Sequence, residues 1–455
     1  MGRNRKDLST TSKVARQVSF AALAKSLPRA TVEEELSKHG RVEKRIRKLP
    51  AKLMVYYTLA MCLHSQVGLE EVLRWVLEEA RSLFEPDELE VASKGAISSA
   101  RARLGSEVVE ALYRRVARPV AQARTKGAWH QGLRVVALDG STLDLQDTKD
   151  NAAHYGYAKT SRGQCAFPKL RFVSLVEAGT HVLFAARMGP YASSEQALGA
   201  ELLGELDKGM LCMADRLFYS FVLWKKARQN AAELLWRVKN NMLLPVEEAL
   251  PDGSWLSTLY ANRTERSKKQ NGQRVRVIKY QVQTQGGGKE SFLLISTLLD
   301  YKKHPALALA RLYPQRWEIE LSYDEYKTHL RGGQVVLRSM TPELVKQEFY
   351  AFMLMHYCTR HLMHEAALAN DIEPVRLSYT HTVEVVKRKL PAFKAGFSPS
   401  GDEEAAPAHD LGNRRGGAAR AARAKQPAGS QAQDERLQVA KSHDTKSQGH
   451  QKQNL

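Results

Sequence analysis

The chain has 455 residues, with 69 Lys and Arg against 49 Asp and Glu, giving a formal net charge of +20 at pH 7. Its 43% apolar and 26% charged content is ordinary for a soluble globular protein large enough for two or more domains. The four cysteines (Cys62, Cys165, Cys212 and Cys358) are scattered with no CxxC pair, which excludes a zinc-ribbon or disulfide framework and suits a reducing compartment.

The start "MGRNRKDLSTTSK" has no apolar stretch of the signal-peptide kind. The longest apolar run, Leu53 to Leu63, is too short to cross a bilayer. These readings predict a cytoplasmic protein with no membrane partner. A surface so basic concentrates polyanions around it, so nucleic acid is the leading partner. Lysines scattered for solubility are the other reading of the same charge.

In chain order, residues 1–128 read as a helical domain. Thr31 with Glu34 three residues later has the form of a capping box. "AKLMVYYTLAMCLHSQ" and "LEEVLRWVLEEARSLF" carry apolar residues at helical spacing. "KGAISSARARLGSEVVEALYRRVARP" predicts two short helices broken near Gly105. Its Arg101, Arg103, Arg114, Arg115 and Arg118 suit a grip on DNA backbone, or merely a cationic outer face.

The texture changes near Leu133. "LRVVAL" predicts a buried strand, "LRFVSLVEAGTHVLFAARM" a hairpin, "ALGAELLGELDKG" a helix and "MLCMA" another buried strand. "FYSFVLWKKARQNA" then predicts a helix and "ELLWRVKN" a strand, so 129–244 forms the first part of a mixed α/β core. Residues 245–300 break the rhythm and read as a β-rich insertion. Helices return over 301–398 to complete the core. Residues 399–455 hold no aromatic residue and are rich in Ala, Gly, Gln, Arg and Lys, the composition of a disordered tail.

Three carboxylates stand out. Asp139 directly follows "RVVAL", and Asp215 directly follows "MLCMA". Sites in α/β sheets gather at strand ends. Carboxylate oxygens suit hard divalent cations, and a two-metal site supports phosphoryl transfer. The alternatives are structural: Asp139–Gly140 as a turn signal, and Asp215 as a helix N-cap. The third acid, Glu320, lies in "LYPQRWEIELSYDEYKTHL" (Leu312 to Leu330). At ~100° per residue, Arg316, Glu320 and Lys327 fall at about −60°, −20° and −40° from Tyr313 on a single helix face. Asp324 falls at about +20°, so geometry does not choose between it and Glu320. The stripe reads equally as an intrahelical salt-bridge ladder and as an acid flanked by phosphate-holding groups.

The spacing Tyr313, Arg316, Glu320, Lys327 resembles the signature of the insertion sequence 4 family of DDE transposases. "LDGST" and "ADRLF" are similar to that family's two aspartate motifs, in the right order. A four-residue match of this kind arises by chance about once in several hundred chains of this length. The resemblance covers roughly residues 20 to 370.

It implies a ribonuclease-H-like mixed-sheet catalytic core with a β-rich insertion, preceded by an all-α N-terminal DNA-binding domain. It implies Asp139, Asp215 and Glu320 as the catalytic triad on two magnesium ions, with manganese able to substitute. It implies Tyr313, Arg316 and Lys327 at DNA phosphates. It also implies cut-and-paste transposition on double-stranded DNA (terminal inverted repeats and target) by a homodimer in a bacterial cytoplasm, at the nucleoid when DNA-bound. Some members stack a flipped base on an insertion-domain tryptophan. Trp255 is the candidate here, with a core role as the alternative. Two rivals share much of this: a structure-specific nuclease on the same fold, and an inactive transposase-derived DNA-binding regulator.

Overall fold

The structure is a computed structural model and describes residues 27–45, 47–80, 91–161, 163–283, 289–330, 336–388 and 438–439. The expected tail, 399–455, lies outside these except for Gln438–Val439, and the first 26 residues lie outside them entirely. The chain divides into one unit of residues 1–128, 140–194 and 319–411 and another of residues 129–139, 195–318 and 412–455.

The helical segment comprises α1 (Arg29–Lys38), α2 (Ala51–Leu63), α3 (Leu69–Ala80), α4 (Lys94–Leu104) and α5 (Ser106–Val116). β1 (Trp129–His130) and β2 (Leu133–Leu145) follow, then α6 (Lys149–Tyr155), β3 (Tyr157–Thr160), β4 (Gly163–Glu177) and β5 (Val182–Pro190). Next come α7 (Glu195–Leu202), β6 (Met210–Ala214), α8 (Phe221–Ala227) and β7 (Glu233–Val238). The insertion holds β8 (Glu248–Ala249), β9 (Trp255–Leu259), α9 (Arg263–Lys268), β10 (Gln273–Gln283) and β11 (Lys289–Ser296). The chain continues through α10 (Ala306–Leu312), a 3₁₀ turn Tyr313–Trp317, α11 (Glu318–Asp324) and a π-helical turn Glu325–Leu330. It then forms β12 (Val336–Leu337), α12 (Pro342–Ala369) and α13 (Tyr379–Arg388).

In the first unit α12 is the organising helix. Thr341 caps it by accepting from Leu344 N, and Pro342 sits in its first turn, where a missing N–H costs nothing. It packs on α5, α2 and β5. Phe349 meets Phe172 of β4 at 5.4 Å between ring centroids, and Tyr350 meets Tyr113 of α5 at 5.8 Å. Aromatic pairs of this kind add about 0.5–1.5 kcal/mol each beyond their burial. The break between α4 and α5 is Gly105, at φ +80°, where a Cβ would lie 2.6 Å from the Glu107 carboxylate. Thr31 does not cap α1, which begins at Arg29 after Pro28, and Thr31 lies inside the helix.

The basic stretch is less available than its sequence implies. Arg101 is buried and donates to Gln347 Oε1 at 2.9 Å and Ser339 Oγ at 3.0 Å. Arg115 pairs with Glu34 and Glu35, and Arg114 with Glu110. Arg101 thus ties α4 to α12 and Arg115 ties α5 to α1, while the Arg114 pair lies within α5.

In the second unit β2, β6 and β7 are parallel and β11 joins β7 antiparallel. β10, β9 and β8 continue from β11, so the insertion extends the core sheet. Gln438–Val439 pair with β10. The Trp224 ring of α8 meets Trp236 of β7 edge-on at 5.4 Å, seating that helix on the sheet. Gly199 of α7 lets the helix approach closely, since a Cβ there would lie 3.1 Å from the Phe218 ring. Strand β2 runs through both units. β4 and β5 pair antiparallel in the first unit, and β2, β6 and β7 pair in parallel in the second, the mixed pairing of a ribonuclease-H-like core.

Candidate active site

Strands β2 and β6 pair in parallel, Val135 with Leu211 through Leu138 with Ala214. All of these side chains are buried, as suits strands covered on both faces. The apolar layer then stops. Asp139 is the next residue of β2 and Asp215 is the first residue past the end of β6, on neighbouring strands spaced ~5 Å apart. The last pair of the register, Leu138 with Ala214, lies one residue before each aspartate.

Asp139 does not end its strand. β2 continues to Leu145, so Asp139 and Gly140 lie within it. Pairing with neighbouring strands overrides the Asp-Gly turn signal. Nor does Asp215 cap α8: Ser220 does, accepting from Leu223 N at 3.2 Å. Asp215 instead starts a turn in which its carbonyl accepts from Phe218 N at 3.0 Å.

The stretch 313–330 is not one α-helix. In the 3₁₀ turn, three residues make a full turn, so Tyr313 and Arg316 eclipse. Arg316 reaches β2 and Tyr313 the end of β6. The buried Tyr313 hydroxyl donates to Ala214 O at 3.3 Å, one residue before Asp215. Burial pushes this phenol far above its usual range, with the Asp215 charge adding to the effect, so it is a neutral donor. Arg316 Nη1 donates to Asp139 Oδ2 at 2.8 Å, with side-chain exposures of 9% and 20%, a strong charge-assisted bond.

On α11, in the other unit, Glu320 is exposed while Ile319, Ser322 and Tyr323 are buried. The Tyr323 and Ser174 hydroxyls lie 2.8 Å apart. Lys327 donates to Ser141 Oγ, and its ammonium sits 5.9 Å from the Tyr323 ring and 6.0 Å from Phe172, at the outer reach of a cation–π contact. Asp324, the rival acid on geometry, lies 3.3 Å from His329 Nε2, at the i,i+5 spacing of the π turn. Glu325 is buried against Arg360.

Of the neighbouring acids, Asp144 pairs with Lys169, and Asp147 accepts from the Tyr157 hydroxyl at 2.6 Å. Trp255 is buried in β9, and its Nε1 donates to Leu244 O at 3.2 Å. It lines a cavity of about 350 Å³ together with Met242, Lys279, Ser291 and Leu293.

Among the described residues, no three His, Cys, Asp or Glu side chains are gathered closely enough to hold a metal ion. Two observations bear on the fit. The Asp215 Oδ1 atom is buried with no hydrogen-bond partner among the described residues, and a buried carboxylate oxygen needs a donor or a cation. Asp139 has a cation already, in Arg316. The donor set, carboxylate oxygens, suits a hard divalent ion. Sequence reasoning missed Ser141. The signal was present, because Ser141 is two residues beyond Asp139 and so shares its strand face.

Two family profiles match the chain: the insertion element 4 transposase N-terminal domain over residues 17–114, and the transposase DDE domain over residues 130–356. The transposase InsG for insertion sequence element IS4 of Escherichia coli (strain K12) is 28% identical over 372 residues, covering 80% of this chain and 81% of that one. The putative transposase InsZ of the same strain is 29% identical over 220 residues, 48% of this chain and 71% of its own. Among solved structures, a cryo-EM structure of the piggyBac transposase synaptic complex with hairpin DNA matches with a TM-score of 0.42 at 8% identity, over 86% of this chain and 82% of that one. The paired family profiles, the helical segment and the mixed-sheet core place this chain in the insertion sequence 4 family of DDE transposases, enzymes that cleave DNA and transfer its strands with divalent metal ions.

Proposed function

We propose that Asp139, Asp215 and Glu320 are the catalytic, metal-binding acids of a cut-and-paste transposase, and that the ions are two Mg²⁺, replaceable by Mn²⁺. The observation that supports this is the β2/β6 register, whose last buried pair, Leu138 with Ala214, lies one residue before each of Asp139 and Asp215. When bound, such ions activate the attacking oxygen and stabilise the leaving one. Glu320 is supported by the family spacing and by its exposure on α11.

The protein's own groups supply the rest. Arg316 neutralises Asp139 until a DNA phosphate draws the guanidinium away, for which its fork geometry is suited. Lys327, kept in place by Ser141, offers a point charge to a second phosphate. Tyr313, a neutral donor, braces the end of β6 and lies ready for a phosphate oxygen. Trp255, on its cavity wall, stacks a flipped base.

The substrate is double-stranded DNA carrying terminal inverted repeats, joined to target DNA by a homodimer in the bacterial cytoplasm. No helix among the described residues is long and apolar enough to cross a membrane. The N-terminal helices, residues 1–128, bind the ends, and 245–300 is an insertion in a core made of 129–244 and 301–398. The test is an assay on DNA bearing the element's ends with Mg²⁺. End-specific nicking and joining are expected, lost in Asp139→Ala, Asp215→Ala and Glu320→Ala while end binding persists. Wild-type cleavage by any of these variants would remove that acid from the triad.

A further inference from the structure

Five residues beyond Glu320, at the first position of the π-helical turn, Glu325 enters a buried charged cluster. Its Oε2 accepts from Arg360 Nε of α12 at 2.7 Å, and its Oε1 accepts from Arg360 Nη2. His356 Nε2 of α12 donates to Oε2 at 3.4 Å. His181 Nδ1, from the β4–β5 turn, lies 3.2 Å from Oε1 and 2.8 Å from Arg360 Nη2. Tyr379 of α13 completes the shell, stacked on His356 at 5.4 Å and beneath the Arg360 guanidinium at 5.4 Å. Arg360 is 1% exposed, His356 0% and His181 3%.

This is a costly arrangement for stability alone. Taking such charges out of water often outweighs their attraction, and apolar replacements are commonly as stable. Two buried polar atoms have no hydrogen-bond partner among the described residues, Arg360 Nη1 and His356 Nδ1. His181 holds φ +60°, a region few non-glycine residues occupy without cost. The cluster also coincides with a π turn, a rare form frequent at functional sites.

Geometry says what the cluster fixes. Five helical residues span ~500°, so turning Glu325 into the core turns Glu320 about 140° away, to the outside. Glu320 is exposed and Glu325 buried, as this requires. Two residues beyond the anchor, Lys327 reaches Ser141. Relaxing the π turn by one residue would re-aim the following side chains by ~100°.

We propose that Glu325 and Arg360, with His181 and His356, form a buried clamp that sets the rotation of the glutamate helix and so positions Glu320 and Lys327 for the transposase reaction. They are positioning residues; none of them touches DNA or metal. The inference rests on the assignment of Glu320 as a catalytic acid.

The test uses the full chain and three measurements: binding of end DNA in EDTA, thermal melting, and single-turnover end nicking across a Mg²⁺ titration. Glu325→Gln is expected to bind ends within about twofold of wild type, since uniform binding does not depend on the reacting geometry. Its nicking should fall about 100-fold, the scale of a small misplacement, with half-maximal rate needing more Mg²⁺. The double variant Glu325→Gln/Arg360→Met removes both charges and should melt near wild type yet remain slow. Arg360→Lys, which keeps charge but loses the fork, should lie between. Wild-type nicking by Glu325→Gln or by the double variant, or loss of end binding in parallel with nicking, would overturn the clamp. So would failure of both glutamine variants to melt cooperatively, since the pair would then support the fold generally. Glu320→Ala is run alongside. Wild-type nicking there removes the assignment of Glu320, whereas a dead Glu320→Ala beside an unaffected Glu325→Gln removes only the clamp.

Discussion

Arg316 Nη1 donates to Asp139 Oδ2 at 2.8 Å, joining the 3₁₀ turn that opens the glutamate segment to the strand carrying the first aspartate. Both side chains are largely withdrawn from water, so the pair is a counterion arrangement with consequences for metal binding. Arg316→Ala removes this cation from a largely buried carboxylate, and is expected to cost about 2–3 kcal/mol of stability in EDTA. Because Mg²⁺ can then replace the lost cation, added Mg²⁺ should raise the melting temperature of this variant more than that of wild type. Equal Mg²⁺ shifts for the two proteins would show that Arg316 and metal do not compete for Asp139.

Ser141 Oγ, on β2, accepts a hydrogen bond from the Lys327 ammonium. Ser141→Ala removes a bond to a charged group, worth about 10-fold or somewhat more in rate if the ammonium is held for catalysis. The expected outcome is slower nicking at unchanged stability in a urea melt. A variant that nicks normally would mean Lys327 needs no holder.

Phe172 stands at the centre of an aromatic cluster with Tyr323, Tyr326 and Phe349. Phe172→Ala should cost about 3–5 kcal/mol through the cavity it leaves. Chemical denaturation checks this. A loss below 1 kcal/mol would show that α11 and β4 are held together by other contacts.

The pH dependence of stability follows from Glu325. Burial alone would push its carboxyl up, but the Arg360 charge, with His181, outweighs burial and holds it well below the usual carboxylate range. A depressed folded-state value contributes stability that is present above the unfolded-state value, near pH 4.3, and is lost as pH falls through the folded one. The stability gap between wild type and Glu325→Gln should therefore narrow on acidification below about pH 5. Urea melts at pH 7, 5 and 4 measure this, and a gap that widens on acidification would contradict the ionised pair.

Much of the site was legible because local chemistry marks it. Two apolar runs, each followed by an aspartate, marked the strands, and the structure pairs those runs in register. Gly105 marked its helix break. The helix bearing Glu320 was legible in type but not in form. A uniform ~100° step cannot anticipate a 3₁₀ turn followed by a π turn, and these decide what Tyr313, Lys327 and Glu325 face. The roles of Arg101 and Arg360 were illegible for a different reason. Arg101 meets Gln347 and Ser339 more than two hundred positions away, and a buried arginine and a DNA-binding arginine look alike in sequence. Likewise, the continuation of β2 past Asp139–Gly140 is set by neighbouring strands rather than by the dipeptide.

The central claim is that the Asp139–Asp215 end of the paired strands is the metal centre. It is tested most directly by Asp215→Cys, assayed for single-turnover nicking of end DNA in Mg²⁺ and in Mn²⁺. A thiolate is a poor ligand for hard Mg²⁺ and a better one for softer ions. The expected result is no detectable nicking in Mg²⁺ with measurable recovery in Mn²⁺, at unchanged end binding. Wild-type nicking by Asp215→Cys in Mg²⁺ would contradict it.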